Sequence, residues 1–156
     1  MRDSMVRLLQ EYEAYHTHPT NRLTHKVAIP LIVFQIVAML DWVGLGSLQL
    51  AGHPVTLAHL FLVPAAAWYL WMAPRLAPLV IVPTLLCLPL GHITPPWLVI
   101  TIAVAAWVIQ FAGHLIWEKR SPAFFTNLLQ LLVGPLFFVA LLTGAWPRPG
   151  AEANSP

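Results

Sequence analysis

The sequence predicts an all-α fold: a polytopic integral membrane helical bundle of about four to five spans, with an N-terminal interfacial helix. Three observations carry this. Hydrophobic residues make up 58% of the 156 and charged residues only 9%, against about 25% charged in a soluble domain. Polar surface is too scarce to cover a globule in water, so lipid is the expected solvent. Five apolar runs follow a polar start, and the basic residues alternate along the connections between them. That alternation fits a cytoplasmic N-terminus by the positive-inside rule.

The elements follow in order. Residues 4–17 repeat Met5, Leu8, Leu9, Tyr12 and Tyr15 at helical spacing, which predicts an amphipathic helix lying at the interface. Pro19 interrupts it, and Thr20 or Asn21 offers an N-cap for the next helix. Apolar segments then cover 26–43, 55–73, 76–91, 97–117 and 127–146. The third is short and carries Pro78, Pro83 and Pro89, so it reads as kinked, re-entrant or only partly spanning. The stretch LPLGHITPPWLV that follows reads as irregular. Arg2, Arg7, Arg22 and Lys26 precede the first span, Arg75 lies in the second connection, and Lys119 and Arg120 lie in the fourth. Arg148, beyond the fifth span, is the exception. Residues 1–146 form a single membrane domain, and the tail 147–156 is expected to be disordered. The mixed charge of the long polar start is unlike a removable signal peptide. A formal charge of +2 is too small and scattered for a nucleic-acid partner. Cys87, alone, forms no internal disulfide.

Chemistry is expected from the seven histidines. The topology places His16, His18, His25 and His114 at one membrane face. Ionisable groups inside a membrane are costly and mark function by default. Gln110, His114 and Glu118 recur at i, i+4, i+8 on one helix face, and Asn21 and His25 are also i, i+4. Gly113 removes a side chain beside His114 and permits close helix approach. Asn127 and Gln130 add a polar edge to the last segment. Imidazole nitrogens are versatile ligands for iron, zinc and copper. From the residues alone, the cluster is either a metal site or a set of hydrogen-bonded histidines. His53 and His92, beside Gly and Pro, read as surface residues, and His59 as an interhelical hydrogen-bonding group. Common alternatives are missing: no HExxH, GxSxG or GxxxxGK[ST] pattern occurs.

Two stretches carry a resemblance. Residues 15–30, YHTHPTNRLTHKVAIP, resemble the YHxxPxNxxxHxxxxP signature of the Mpo1-like membrane proteins. Residues 107–138, WVIQFAGHLIWEKRSPAFFTNLLQLLVGPLFF, resemble their second signature, QFxGHxxxEKRxPAxxxNLxQ. The resemblance implies an Fe(II)-dependent dioxygenase that shortens 2-hydroxy fatty acids by one carbon in α-oxidation. It implies His16, His25 and His114 as metal ligands. Glu118, Asn21 and Gln110 become catalytic candidates, with Glu118 either a fourth ligand or a partner that orients one. Arg22, Lys119, Arg120, Asn127 and Gln130 become substrate-binding candidates. The partners implied are a 2-hydroxy fatty acid, dioxygen and the bilayer. The location implied is the inner membrane of a bacterium or the endoplasmic reticulum of a eukaryote. Metal binding through neutral imidazoles should weaken below about pH 6.5. The rival readings are a metal-ion transporter, which would set its ligands near the bilayer midplane, and a non-catalytic membrane protein.

Overall fold

The computed structural model describes residues 1–50 and 52–146. The expected disorder of the tail 147–156 falls outside the described residues. The chain is mostly helical, with α1 (Asp3–Ala14), α2 (Pro19–Asp41), α3 (Leu57–Met72), α4 (Ala77–Ile93), α5 (Pro96–Ala112) and α6 (Gln130–Leu142). A π-helical turn, Gly113–Glu118, continues α5, and a 3-10 turn, Ala123–Phe125, precedes α6. Two helices are long and apolar enough to cross a bilayer, the 23-residue Pro19–Asp41 and the 23-residue Pro96–Glu118. The other apolar helices, α3, α4 and α6, are shorter.

Several boundaries differ from the sequence expectation. Pro19 opens α2 instead of only ending what precedes it, because a proline at the first helical position lacks a backbone N–H that would be unpaired anyway. The N-cap is therefore His18, whose ring accepts from the Thr20 N–H, and not Thr20 or Asn21. Helix α2 thus starts seven residues before the apolar run and carries Asn21 and His25 on regular helix. Pro83 and Pro89 sit inside α4. The stretch expected to be irregular contributes the end of α4 and the start of α5, with only Thr94 and Pro95 between them. The connection 44–56 is an antiparallel β-hairpin, β1 (Gly44–Leu50) with β2 (His53–Thr56).

Contacts order the helices between two ends. At one end, Leu57 N–H donates to Val43 C=O, Thr56 Oγ1–H to Asp41, and His92 pairs with Asp41. At the other, Arg2 N–H donates to Met72 C=O, and Tyr69 O–H donates to Leu132 C=O. Helices α2, α3, α4 and α5 therefore run alternately from one end to the other. Helix α6 does not. Gln130 begins it at the same end as α1, and beyond its C-terminus Trp146 Nε1–H donates to Glu13 of α1 (3.1 Å). Its 13 residues span about 20 Å, short of the roughly 30 Å hydrocarbon core. Met5, Leu9 and Tyr12 of α1 pack on Val133, Leu136 and Phe137 of α6 in the principal apolar core. Outward, Phe61 and Val63 of α3, Val104 and Val108 of α5, and Leu142 of α6 are exposed. Exposed large apolar side chains in such number suit contact with lipid or protein.

Candidate metal centre

Three segments deliver the buried histidines. His16 lies in the turn between α1 and α2, His25 lies two turns into α2, and His114 lies in the π-helical turn after α5. Their relative exposures are 1%, 0% and 0%. One ligand nitrogen from each lies within 4.8 Å of the others. The rings meet edge to face, with centroids 4.6, 4.9 and 4.7 Å apart. Convergence needs α2 and α5 almost in backbone contact. Gly113 provides it: a Cβ there would lie 2.4 Å from Asn21 Oδ1 and 2.5 Å from Thr24 Oγ1. The π-helical turn, a feature concentrated at functional sites, sets His114 facing His25.

Hydrogen bonds fix which nitrogens are free. His16 Nδ1–H donates to Tyr12 C=O (2.6 Å) and His25 Nδ1–H to Asn21 C=O (2.8 Å). A carbonyl only accepts, so each Nδ1 holds the proton and each Nε2 keeps a lone pair. His25 Nε2 lies 2.7 Å from Gln110 Nε2 and 3.0 Å from His114 Nε2. His16 Nε2 and His114 Nδ1 are buried without a partner.

Hydrogen bonding alone cannot satisfy this cluster. With its proton on Nε2, His114 leaves Nδ1 as a bare acceptor. With the proton on Nδ1, that donor is unpaired and two lone pairs face each other across 3.0 Å. Each unpaired buried group costs about 1–3 kcal/mol. A cation suits the same atoms. Two imidazole nitrogens at right angles about a first-row metal, each at roughly 2.1 Å, stand about 3.0 Å apart. The residues present fit a metal ion, and hydrogen bonds donated by Nδ1–H hold the His16 and His25 rings as in known metal sites.

The surrounding polar residues divide by geometry. Glu118 accepts from Thr17 Oγ1–H (2.9 Å), His18 N–H (2.7 Å) and Asn21 Nδ2–H (3.2 Å). Both carboxylate oxygens thereby tie the end of α5 to the turn bearing His16, and Glu118 is outside the convergent ligand group. Gln130 is 2% exposed, both of its amide atoms lack partners, and it lines a cleft with His16, Gln110 and His114. Arg22 donates from Nε to His16 C=O and pairs with Glu13 (3.3 Å). Asn127 lies away from the cleft, its Oδ1 accepting from Leu129 N–H. Lys119 and Arg120 are exposed, and the left-handed conformation of Lys119 (φ 53°) turns the chain after the π-helical segment. Neither lines the cleft.

Two residues were invisible as site components in sequence. Tyr12 stacks on His16 (centroids 3.9 Å, 13° between planes), and its carbonyl accepts the hydrogen bond from His16 Nδ1–H. Gly134 leaves the Tyr12 phenol room, since a Cβ there would come within 3.2 Å of its oxygen. The only signal was Tyr12 at i−4 from His16, masked by its place on the apolar face of α1. Burial holds the His16 imidazole well below its ordinary pKa, to about 2. His25, His114 and Arg22 add to the depression, and the Tyr12 carbonyl opposes it. Burial likewise raises the Tyr12 phenol, keeping it protonated.

The chain matches the Mpo1-like family, described as "2-hydroxy-palmitic acid dioxygenase Mpo1-like", over residues 3–146. It is 29% identical over 128 residues to "2-hydroxy-palmitic acid dioxygenase MPO1" of Saccharomyces cerevisiae, covering 82% of this chain and 72% of the yeast protein. No solved structure matches.

Proposed function

We propose, because this chain belongs to the Mpo1-like family, that it is an Fe(II)-dependent dioxygenase converting 2-hydroxy fatty acids to acids one carbon shorter. The reaction balances as 2-hydroxy acid plus dioxygen to the shortened acid, carbon dioxide and water. The substrate supplies all four electrons, so no nicotinamide or flavin is required. The observation that carries the reading is the burial of His16, His25 and His114 with their ligand nitrogens within 4.8 Å.

In this reading the three histidines hold the iron. When bound, iron supplies a redox-active Lewis acid with positions open to small oxygen ligands. The protein's own residues do the rest. Tyr12 and Asn21 carbonyls fix the His16 and His25 tautomers so that Nε2 faces inward. Glu118 locks the turn bearing His16 against the π-helical turn bearing His114, the role of an orienting partner. Gln110 and Gln130 offer amide groups to the polar end of the substrate. Apolar side chains such as Ile32 and Trp107, lining the same cleft, exclude water.

The membrane reading is that α2, α3, α4 and α5 form four spans, with α1 and α6 at the site's face. Helices α3 and α4, of 16 and 17 residues, reach about 24–26 Å. That shortfall is absorbed by modest thinning of the bilayer. The start of α1 and the end of α6 then lie on one side. The protein would sit in a bacterial inner membrane or an endoplasmic reticulum, according to its source.

The decisive test is iron analysis of purified protein joined to oxygen uptake. Matched fatty acids would carry hydroxyl at C2, at C3 or nowhere. Iron near one per chain and uptake with the 2-hydroxy acid alone is the expected outcome. Equal uptake with all three, or uptake in iron-free protein, would overturn the reading.

A further inference from the structure

The cleft at the histidines is small, about 70 Å³, room for the reacting end of a fatty acid and no more. A second cavity is far larger, about 960 Å³, at the top of the roughly 300–1,000 Å³ range usual for small-molecule sites. It is a groove between α2, α4 and α6. Its walls are apolar, among them Phe34, Pro83, Leu90 and Phe138. Arg22 and Lys26 stand at one end, where α2 begins, and Cys87 and Leu90 belong to the other end, toward the close of α4. From Arg22 to Phe34 along α2 is about 18 Å, the reach of a long acyl tail.

Two observations tie the groove to the histidines. Ile29, Val33 and Pro135 line both cavities, so these side chains stand between them. Arg22, at the groove mouth, also holds the His16 carbonyl. The charge at the mouth is selective. Arg22 already pairs with Glu13, whereas Lys26 has no acidic partner among the described residues. A basic rim over an apolar channel is complementary to an anionic head on a hydrocarbon chain.

We infer that the groove between α2, α4 and α6 holds the acyl tail of the 2-hydroxy fatty acid. Its hydroxy-carboxyl end passes between Ile29, Val33 and Pro135 to the histidine cleft, and Cys87 and Leu90 at the far end set chain length. The inference rests on the proposed reaction for its substrate, but its occupancy is measurable apart from turnover. Residues that never approach the reacting atoms then decide which fatty acids are used.

Two measurements on the full chain in lipid nanodiscs test this. The first uses 2-hydroxyhexadecanoate carrying a photoreactive diazirine near its methyl end, irradiated with iron-free protein. Adducts on residues 79–90, competed by excess 2-hydroxypalmitate, are expected. Adducts elsewhere, or competition by bulk phospholipid equal to that by the hydroxy acid, would overturn the inference. Adducts on 79–90 in protein that then shows no oxygen uptake with iron would leave the groove standing and remove the oxygenase reading instead. The second fills the groove. Cys87→Trp should lower the ratio of kcat/KM for long over short 2-hydroxy acids by at least about tenfold, as one to a few methylenes rejected from an apolar pocket do. Leu86→Trp places the same bulk one residue away, outside the groove and on an exposed position, and controls for damage to α4. A chain-length ratio unchanged in Cys87→Trp, or moved equally by both variants, would also overturn the inference.

Discussion

The two ends of the helical bundle hold similar ingredients and treat them differently. Each has histidines, a carboxylate and a threonine. At the hairpin end, Asp41 accepts from Thr56 Oγ1–H (2.7 Å) and pairs with His92, and His59 Nδ1 accepts from Thr56 N–H (3.2 Å) in a capping box. Among the described residues these groups are partnered, and His92 is largely exposed, with 67% of its side chain in contact with solvent. At the opposite end, His16 Nε2 and His114 Nδ1 are buried and unpaired, and so are both amide atoms of Gln130. A polar atom left bare in the interior costs stability, and folds retain such atoms where something else completes them. Histidine count therefore distinguishes the ends poorly. The lone pairs left unsatisfied distinguish them well.

The sharpest way to break the contrast is to remove one histidine at each end. His114→Ala or His25→Ala should abolish iron retention and oxygen uptake by more than about 100-fold, beyond what loss of a merely supporting partner costs. His92→Ala should retain iron at wild-type stoichiometry, because its ring serves only Asp41 at the surface. Iron content by plasma emission, with thermal stability as a folding control, reads both. Equal iron loss at the two ends would dissolve the distinction.

Glu118 is the next largest effect. Its carboxylate receives three hydrogen bonds from the His16 turn and the start of α2. Glu118→Gln keeps the shape and one acceptor but loses the charge and replaces the other acceptor with a donor. A fall of about 10–100-fold in iron affinity or kcat is expected, with Glu118→Ala worse. Asp41→Asn, the matching change at the hairpin end, should alter stability alone. Wild-type iron affinity in Glu118→Gln would reduce the carboxylate to a surface clamp.

Part of this contrast was legible in the sequence. His16, His25 and His114 stood out because charge alternation sends the start of α2 and the end of α5 to one face. Gly113 stood out because a small residue beside a histidine invites close approach, and the structure places Asn21 and Thr24 against it. Other features had no local signal. Tyr12 looks like any apolar-face residue until His16 folds back onto it. Helix α6 has the composition of a span, and long-range contacts with α1, the bond from Trp146 to Glu13 among them, bring it back. The hairpin 44–56 is Gly-rich and weakly patterned, so period gave no strand. Prolines misled in both directions. Pro19 and Pro96 begin helices, where a missing N–H costs nothing, and Pro83 and Pro89 lie within α4. The i, i+4, i+8 face also changed meaning. Gln110 and His114 reach His25, whereas the π-helical turn carries Glu118 onward to Thr17 and His18.

Glycine substitution sharpens the comparison at a smaller scale. Gly113→Ala forces a Cβ within 2.5 Å of Asn21 and Thr24 side-chain oxygens. Overpacking of this kind costs about 1–3 kcal/mol. It should lower the thermal midpoint and, by parting α2 from α5, weaken iron binding as well. Gly44→Ala meets no atom within 4 Å at the hairpin end and should change neither. A Gly113→Ala protein with unaltered iron affinity would show that the helices can separate without disturbing the histidines.

The smallest effect is the response to acid, and it separates two causes of iron loss. Burial, reinforced by His25, His114 and Arg22, depresses the His16 pKa to about 2 in the folded chain. In the unfolded chain the ring takes a proton near its ordinary value of about 6.5. Between those values the unfolded state binds the extra proton, so stability rises with pH across the window and is lost as pH falls below about 6.5. The loss approaches about 1.4 kcal/mol for each further pH unit. Thermal midpoints of the iron-free protein in detergent, taken from pH 7.5 to pH 5, should show that slope, and His16→Gln should reduce it. The same depression revises the simplest expectation for the metal. While the chain stays folded, His16 remains neutral well below pH 6.5, so protons do not compete for it there. Iron release on acidification should therefore follow unfolding measured by circular dichroism. Release from fully folded protein near pH 6 would mean that the clustered imidazoles are solvated enough to take protons there, and the burial that sets this end of the bundle apart would not hold in solution.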